Sequence, residues 1–215
     1  MADLKRVIEQ SGKDLHRVII VRPAQDGDDS YFQELFQMAG RPIPPALRDW
    51  ESRVAAWCDE YGKRYSASAI LEVNLQIAIY LFDRTLERVL VAYGASSPQL
   101  EERDMNRMRR FPDVNVGVRA ILGTDAFAAD RGHFLGHASG GELDINLFPQ
   151  RKELNRGWSA EGKVFRSMER FAAEHLGTFM YHRPIYDDET WIPDRLEFGL
   201  LTDDREWWIE EFQNK

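Results

Sequence analysis

The chain has 215 residues, of which 43% are hydrophobic, so it is long enough to bury a core of its own. Its formal net charge of -8 argues against a protein that binds nucleic acid over its whole surface, because affinity for phosphate comes mainly from lysine and arginine. A nuclease is not excluded, since an enzyme needs to hold its substrate only at one cleft.

The cysteine content and the apolar runs exclude further classes. The single cysteine, Cys58, cannot form an internal disulfide, and a zinc site of the cysteine type needs several thiolates. No apolar run is long enough to cross a bilayer, and the N-terminus lacks the apolar core of a secretory signal. We therefore expect a soluble, cytoplasmic protein with no membrane partner, although export that needs no signal peptide stays open.

The first part of the chain alternates patterns typical of helices and strands. In order, the sequence predicts a helix over residues 4–10, a strand over 17–22 closed by Pro23, a helix over 31–38 and a helix over 46–61. Residues 76–82 and 88–93 flank a short polar connection, and this pattern predicts a β-hairpin. A helix over residues 70–81 stays open, because periodicity does not decide short apolar runs.

The second part of the chain has a different character. Ser96-Ser97-Pro98 marks a soft boundary, so we expect a mixed helix and strand region over residues 1–97 and another region over residues 98–215. The first region is either regulatory or part of the same domain as the second. Further elements are predicted, in order, as a strand over 114–122, a helix over 161–176, strands over 178–186 and 196–202, and a final strand from Trp207. Because helices and strands do not alternate regularly, the sequence predicts an α+β fold.

Three motifs in the second region carry a functional signal. They are DRGH at residues 130–133, GG…D…NLFPQ at residues 140–150, and LNRGW…ME at residues 154–169. In order and approximate spacing they resemble the DNA/RNA non-specific endonucleases, which belong to the ββα-metal nucleases. The resemblance covers about residues 114–212 and leaves about residues 1–97 unexplained.

The resemblance implies a strand, a loop and a helix folded around one divalent ion, beside an antiparallel sheet. It implies that His133 is the general base that takes a proton from the attacking water. Asn155 is implied as the only direct protein ligand of the metal, and Glu169 as the carboxylate that holds a metal-bound water. A continuous helix from Asn155 to Glu169 would bring these two close to one face, but Gly157 and Gly162 leave that continuity open.

Supporting roles follow for the remaining motif residues. The resemblance implies that Arg131 faces the substrate phosphate, and that Asn146 and Gln150 brace the loop, with Asn146 also orienting His133. Asp130 is expected to fix the loop through hydrogen bonds. His137 is either a second ligand or a loop brace, and we favour the brace.

Basic residues are the candidates for holding the substrate. Residues 101–120 have a positive bias within an acidic chain, and Arg107 and Arg110 in this segment are candidates for a substrate groove. A second group either contacts the nucleic-acid backbone or forms helix ion pairs with Glu161 and Glu169. Its members are Arg156, Lys163, Arg166 and Arg170.

The chemistry of these residues agrees with the implied roles. Magnesium prefers oxygen ligands and keeps several waters, so one amide oxygen with phosphate oxygens is a reasonable shell. Manganese accepts the same ligands. A histidine with an unperturbed pKa of about 6.5 is largely neutral at pH 7, as a general base must be.

The leading hypothesis is therefore a magnesium-dependent endonuclease that hydrolyses DNA, RNA or both. No base-reading module is visible, so we expect no sequence selectivity. The alternative is a nuclease-fold protein used for nucleic-acid binding or regulation without cleavage, and the net charge keeps it open.

A non-specific nuclease that is not secreted would damage its own cell unless it were restrained. This motivates the hypothesis of a defence or toxin effector, controlled through residues 1–97 by a regulatory or inhibitory protein partner or by homo-oligomerisation. Full activity of the purified chain alone, together with its harmless accumulation in cells, would contradict this restraint.

Overall fold

The computed structural model describes residues 21–23, 45–65, 70–75, 78–98, 113–141 and 143–215. The helices predicted over residues 4–10 and 31–38 lie outside the described residues, as does most of the strand predicted over 17–22. Arg107 and Arg110, the two substrate-groove candidates, also lie outside them.

An antiparallel sheet of seven strands forms the centre of the described structure. Its strands are β1 (Val21–Pro23), β2 (Ile70–Leu75), β3 (Ala78–Asp83), β4 (Arg88–Ala95), β7 (Phe179–Ile185), β8 (Arg195–Leu201) and β9 (Trp207–Gln213), and they lie side by side in this order. Every neighbouring pair is antiparallel. The predicted hairpin is confirmed as β3 and β4, and a helix over residues 70–81 is wrong because β2 and β3 occupy that segment.

Helices cover both faces of this sheet. Helix α1 (Trp50–Tyr65), which follows a short 3-10 turn at Pro45–Leu47, packs with Ile79 and Leu81 of β3 in one hydrophobic cluster. On the opposite face, Tyr80 and Phe82 join a second cluster. Successive residues of a strand point to opposite faces, and both faces of β3 are covered. All six residues of β3 are therefore buried. Burial on both faces removes the polar alternation, which is why periodicity alone left a helix over residues 70–81 open.

The segment predicted as a strand over residues 114–122 is an α-helix, α2 (Val114–Leu122), so that prediction was wrong. Its alternating valines suggested a strand. However, Val114 and Val118, which are one helical turn apart, are both buried, whereas Val116 between them is 66% exposed, as expected for a helix with one buried face. Asp113 caps the helix by accepting a hydrogen bond from the Asn115 amide. Local capping and burial at four-residue spacing therefore outweigh the strand preference of the valines.

The remaining predicted elements are confirmed with small shifts of their ends. The helix expected over residues 46–61 is α1, and the helix expected over 161–176 is α4 (Ala160–Glu174). The three late strands are β7, β8 and β9. The protein is thus a mixed α+β fold with an antiparallel sheet and several helices. Each described helix is too short or too polar to cross a lipid bilayer.

The chain leaves the central sheet after β4 and returns to it at β7, its direct neighbour. Ala92 of β4 lies opposite His182 of β7. At the exit and return points, the Ser96 amide donates to the Thr178 carbonyl and the Gly177 amide donates to the Ser96 carbonyl, each at 2.8 Å. Strands from both sides of residue 97 therefore lie in one sheet.

His182 is a buried histidine in the middle of the sheet. It is 1% exposed, and its ring stacks on Phe198 at a centroid distance of 3.9 Å, with Phe165 at 5.8 Å. Neither ring nitrogen has a hydrogen-bond partner within the described part of the chain. Burial lowers the pKa of His182 to about 3, so the folded protein holds it neutral.

We expect His182 to make the fold sensitive to acid. Below pH 6.5 the unfolded chain protonates this histidine and the folded chain does not, so the free energy of unfolding falls by about 1.4 kcal/mol per pH unit from this group. In His182→Phe, which keeps an aromatic ring between Phe165 and Phe198, that contribution is absent. Urea unfolding at pH 7 and pH 5 measures it, and the stability gap between the two proteins should widen by about 2 kcal/mol at pH 5. The same difference in unfolding free energy between the two proteins at pH 7 and pH 5 would contradict a neutral, buried His182.

Candidate functional site

The DRGH motif lies on a second, two-stranded sheet. Strand β5 (Ala129–His133) pairs antiparallel with β6 (Leu147–Arg151), with Asp130 opposite Gln150 and His133 opposite Leu147. A short helix, α3 (Lys152–Asn155), follows β6 directly, and α4 comes next. The three sequence motifs are therefore placed on one hairpin and the two helices that follow it.

Asn146 holds the loop that begins directly after His133. This asparagine is fully buried, and its amide makes two bonds of 2.8 Å to one residue, accepting from the Leu135 amide and donating to the Leu135 carbonyl. The Asn146 carbonyl also accepts from the Phe134 amide at 2.9 Å. A buried side chain that satisfies both of its polar atoms on one residue fixes the backbone there. Asn146 thus fixes the chain at the residues next to His133.

Two glycines close the same loop. Gly140 has a φ of +89°, a conformation that favours glycine, and a Cβ there would collide with the Ser97 side chain. A Cβ at Gly141 would collide with the Leu135 carbonyl. The GG pair is therefore required for the loop to fold back onto the segment that Asn146 holds.

Asp130, Asn155 and Arg156 form a hydrogen-bonded cluster between β5 and the end of α3. The Asn155 amide nitrogen donates to Asp130 Oδ2 at 3.2 Å, and Arg156 donates through Nε and Nη2 at 2.5 and 2.9 Å. Burial opposes ionisation of the Asp130 carboxyl, but the bonds from Arg156 and Asn155 and the charge of Arg156 hold its pKa below the usual value. Arg156 is thus ion-paired with Asp130, a partner that neither sequence-based alternative included.

His133 and Glu169 both lie at the loop after β5. His133 is 8% exposed, and its ring centroid lies 6.2 Å from that of His137. His137 in turn has its Nδ1 3.3 Å from the Gly141 carbonyl, as a loop brace would. On α4, Glu169 accepts from Arg166 at 2.7 Å, and its Oε1 lies 3.6 Å from the position of a Cβ on Gly136.

The helix from Asn155 to Glu169 is interrupted, so a continuous helix there is wrong. Helix α3 ends at Asn155, and Gly157 turns the chain with a φ of +70°. The Ser159 side chain then caps α4 by accepting from the Gly162 amide at 2.9 Å. A Cβ at Gly162 would lie 2.5 Å from the Glu153 carbonyl, so the two glycines allow α3 and α4 to pack closely at the break.

Arg131 and Gln150 occupy different faces of the hairpin. Arg131 is half-buried and lies two residues from His133 on β5, so the two share one face of the strand. Gln150 is fully buried on the other face against Gly132, where a Cβ would collide with it. Neither polar atom of the Gln150 amide has a hydrogen-bond partner within the described residues.

Asn214 is a supporting residue that the sequence did not reveal. It is fully buried, donates to the carbonyls of Pro149 and Pro193 at 3.0 and 2.8 Å, and accepts from the Arg151 amide at 2.9 Å. It therefore holds the backbone on both sides of Gln150. Its partners in β6 are more than sixty residues away in sequence, so no local pattern marks it.

No family model and no curated protein matches the chain. Among solved structures, the chain is similar to a chain in the crystal structure of the EndoG/EndoGI complex, whose subject is the mechanism of EndoG inhibition, with 13% identity over 67% of this chain and 74% of that one. The TM-score of 0.41 is too low to establish a shared fold, so the site is assigned from its own residues.

Proposed function

We propose that the β5–β6 hairpin, α3 and α4 form the active site of a metal-dependent endonuclease that cleaves DNA, RNA or both without sequence selection. The observation that carries the proposal is the bond between Asp130 and Asn155. This bond uses the amide nitrogen of the Asn155 side chain. The amide oxygen, which is the atom that a hard cation prefers, points away from Asp130. The resemblance of the three motifs to the non-specific endonucleases supports the same assignment.

The residues present fit a magnesium or manganese ion held through oxygen. Within the described residues no group of three or more histidine, cysteine and acidic side chains is close enough to hold a metal. A shell of one amide oxygen from Asn155, with phosphate oxygens and waters, is a different kind of site and suits these ions. The ion, when bound, neutralises charge on the phosphate and stabilises the leaving oxygen.

His133 is the proposed general base. Its position is fixed by β5 on one side and by the loop that Asn146 holds on the other, so its ring is preorganised to accept a proton from an attacking water. Arg131, on the same face of β5, is the proposed contact of the substrate phosphate. Glu169, fixed by Arg166, supplies a carboxylate to orient water near the loop.

Metal removal tests the proposal directly. We expect purified protein to cut plasmid DNA and a structured RNA in the presence of Mg²⁺ or Mn²⁺, to stop when a chelator is added, and to recover when Mg²⁺ is returned in excess. Products separated on gels at timed intervals provide the measurement. Cleavage that continues in chelator would contradict the metal site. Binding of nucleic acid without any cleavage by the folded protein would favour the alternative function.

A further inference from the structure

Trp158 is a tryptophan exposed beside the proposed site. All six tryptophans of the chain lie in the described residues, and five are buried or partly buried. Trp158 is 62% exposed. Because a large aromatic ring gains stability by burial, one left open to solvent on an otherwise packed fold marks a candidate contact surface.

The turn between α3 and α4 fixes Trp158 in this exposed position. Gly157 supplies the left-handed conformation, and the Trp158 amide then donates to the Glu153 carbonyl at 2.9 Å. Asn155, the proposed metal ligand, is the last residue of α3 and lies three residues before Trp158. The ring is therefore held by the same turn that presents Asn155.

Positive charge surrounds the ring. The Arg156 guanidinium carbon and Lys152 Nζ lie 5.0 and 5.7 Å from the centroid of Trp158. Arg156 is held in place by its ion pair with Asp130. Lys152 makes no direct ion pair among the described residues, although its charge helps to lower the pKa of the Asp130 carboxyl, so its ammonium group can also contact a phosphate.

The same charge excess extends over the segment that carries the site. Residues 151–170 contain six lysines and arginines against three glutamates, although the whole chain has a net charge of -8. Two of these glutamates, Glu161 and Glu169, are paired with Arg151 and Arg166. The local balance is thus opposite in sign to that of the molecule, and it complements a phosphate backbone.

We propose that Trp158 is a stacking platform for an unpaired base and that Lys152 contacts the phosphate beside that base, so the site prefers single-stranded nucleic acid. The inference rests on the proposed function for the position of the substrate. An exposed indole ring offers a flat face to any base that is unstacked, whatever its identity. In a duplex the base faces are covered by neighbouring pairs, so the platform has nothing to contact.

The test is binding in chelator, where no cleavage is needed. The probes are fluorescein-labelled oligo(dT) and oligo(U) of about ten nucleotides, and a labelled blunt hairpin duplex, each titrated with the full chain. Trp158→Leu is expected to weaken binding of the single strands about tenfold, the loss typical of removing one base–aromatic stack. Trp158→Phe, which keeps a ring, should retain most of the affinity, and duplex binding should change less than about twofold.

Matched variants separate stacking from charge. Lys152→Gln should weaken single-strand and duplex binding together and reduce the salt dependence. Equal single-strand affinities for wild type and Trp158→Leu would overturn the proposal, as would an equal loss on the duplex or no measurable single-strand binding by wild type. Binding is measured without metal and is therefore independent of cleavage. If the protein cleaves nucleic acid but Trp158→Leu binds single strands as well as wild type does, only the stacking role of Trp158 is rejected. A Trp158-dependent interaction without any cleavage rejects only the proposed hydrolysis.

Discussion

His133→Ala is expected to lower the rate of phosphodiester cleavage by about 10²- to 10⁴-fold, the range typical of a positioned general base. His133 lies at the end of β5 and is 8% exposed, and the nearby ring of His137 is held by its contact with the Gly141 carbonyl. The expected loss is in kcat, because the base acts on the attacking water and not on substrate binding. Initial rates on plasmid DNA at saturating Mg²⁺ measure the effect.

Two histidine variants serve as controls for this loss. His175→Ala removes a partly exposed histidine at the far end of α4, paired with Asp203, and should leave the rate within about twofold. His137→Ala removes the bond to the Gly141 carbonyl and tests whether the loop alone accounts for the loss. A rate for His133→Ala within tenfold of wild type, or a loss in His137→Ala as large as that in His133→Ala, would remove His133 from the role of base.

Asp130→Ala is expected to raise the Mg²⁺ concentration that gives half-maximal cleavage by about 10- to 100-fold, as is typical when the partner of a metal ligand is lost. The carboxylate holds the amide nitrogen of Asn155, and without it the amide of Asn155 rotates freely. Arg156 loses its partner as well, which adds an uncompensated positive charge near the ion. A titration of cleavage rate against Mg²⁺ measures the shift.

Rescue by metal distinguishes orientation from structural damage in this variant. If Asp130 acts by orienting Asn155, excess Mg²⁺ should restore most of kcat, whereas a collapsed hairpin would not recover. Asp187→Ala is the matched control, since it removes an exposed carboxylate paired with Arg64 and Arg195 away from the site. An unchanged Mg²⁺ requirement in Asp130→Ala would show that Asn155 needs no partner, and would weaken its assignment as the ligand.

The sequence predicted those elements in which local pattern and tertiary packing agree. In α4, Phe165, Met168 and Ala172 recur at helical spacing, and all three are buried. In α2 the two levels disagree, because the alternating valines indicate a strand while Asn115 makes two hydrogen bonds of 3.0 Å to the backbone of Ala129. The Asp113 cap and these bonds to Ala129 both stabilise the helix, and the pattern of the valines records neither of them.

For the candidate site, the sequence identified residues but not the contacts between them. Residue types and their order are visible in a sequence, so the motifs named the candidate residues. The strands β5 and β6 and the short helix α3 were not among the elements predicted from local pattern. The bond from Asn155 to Asp130 joins residues 25 positions apart, and Asn214 bonds to a carbonyl 65 positions away. Such partners depend on how the hairpin and the sheet meet, so the sequence alone gave the residues without the contacts that orient them.

The path of the chain between β4 and β7 has an evolutionary consequence. The residues that carry the proposed chemistry lie on a single excursion between two adjacent strands, and the ends of that excursion are tied to each other across 82 positions by Ser96 and Thr178. The loops of this segment can change in length while the two anchored strands keep their pairing, but its helix α4 contributes Phe165 and Met168 to the core cluster on one face of the sheet. Any segment that replaced this one would therefore have to cover the same face of the sheet, whatever chemistry it carried.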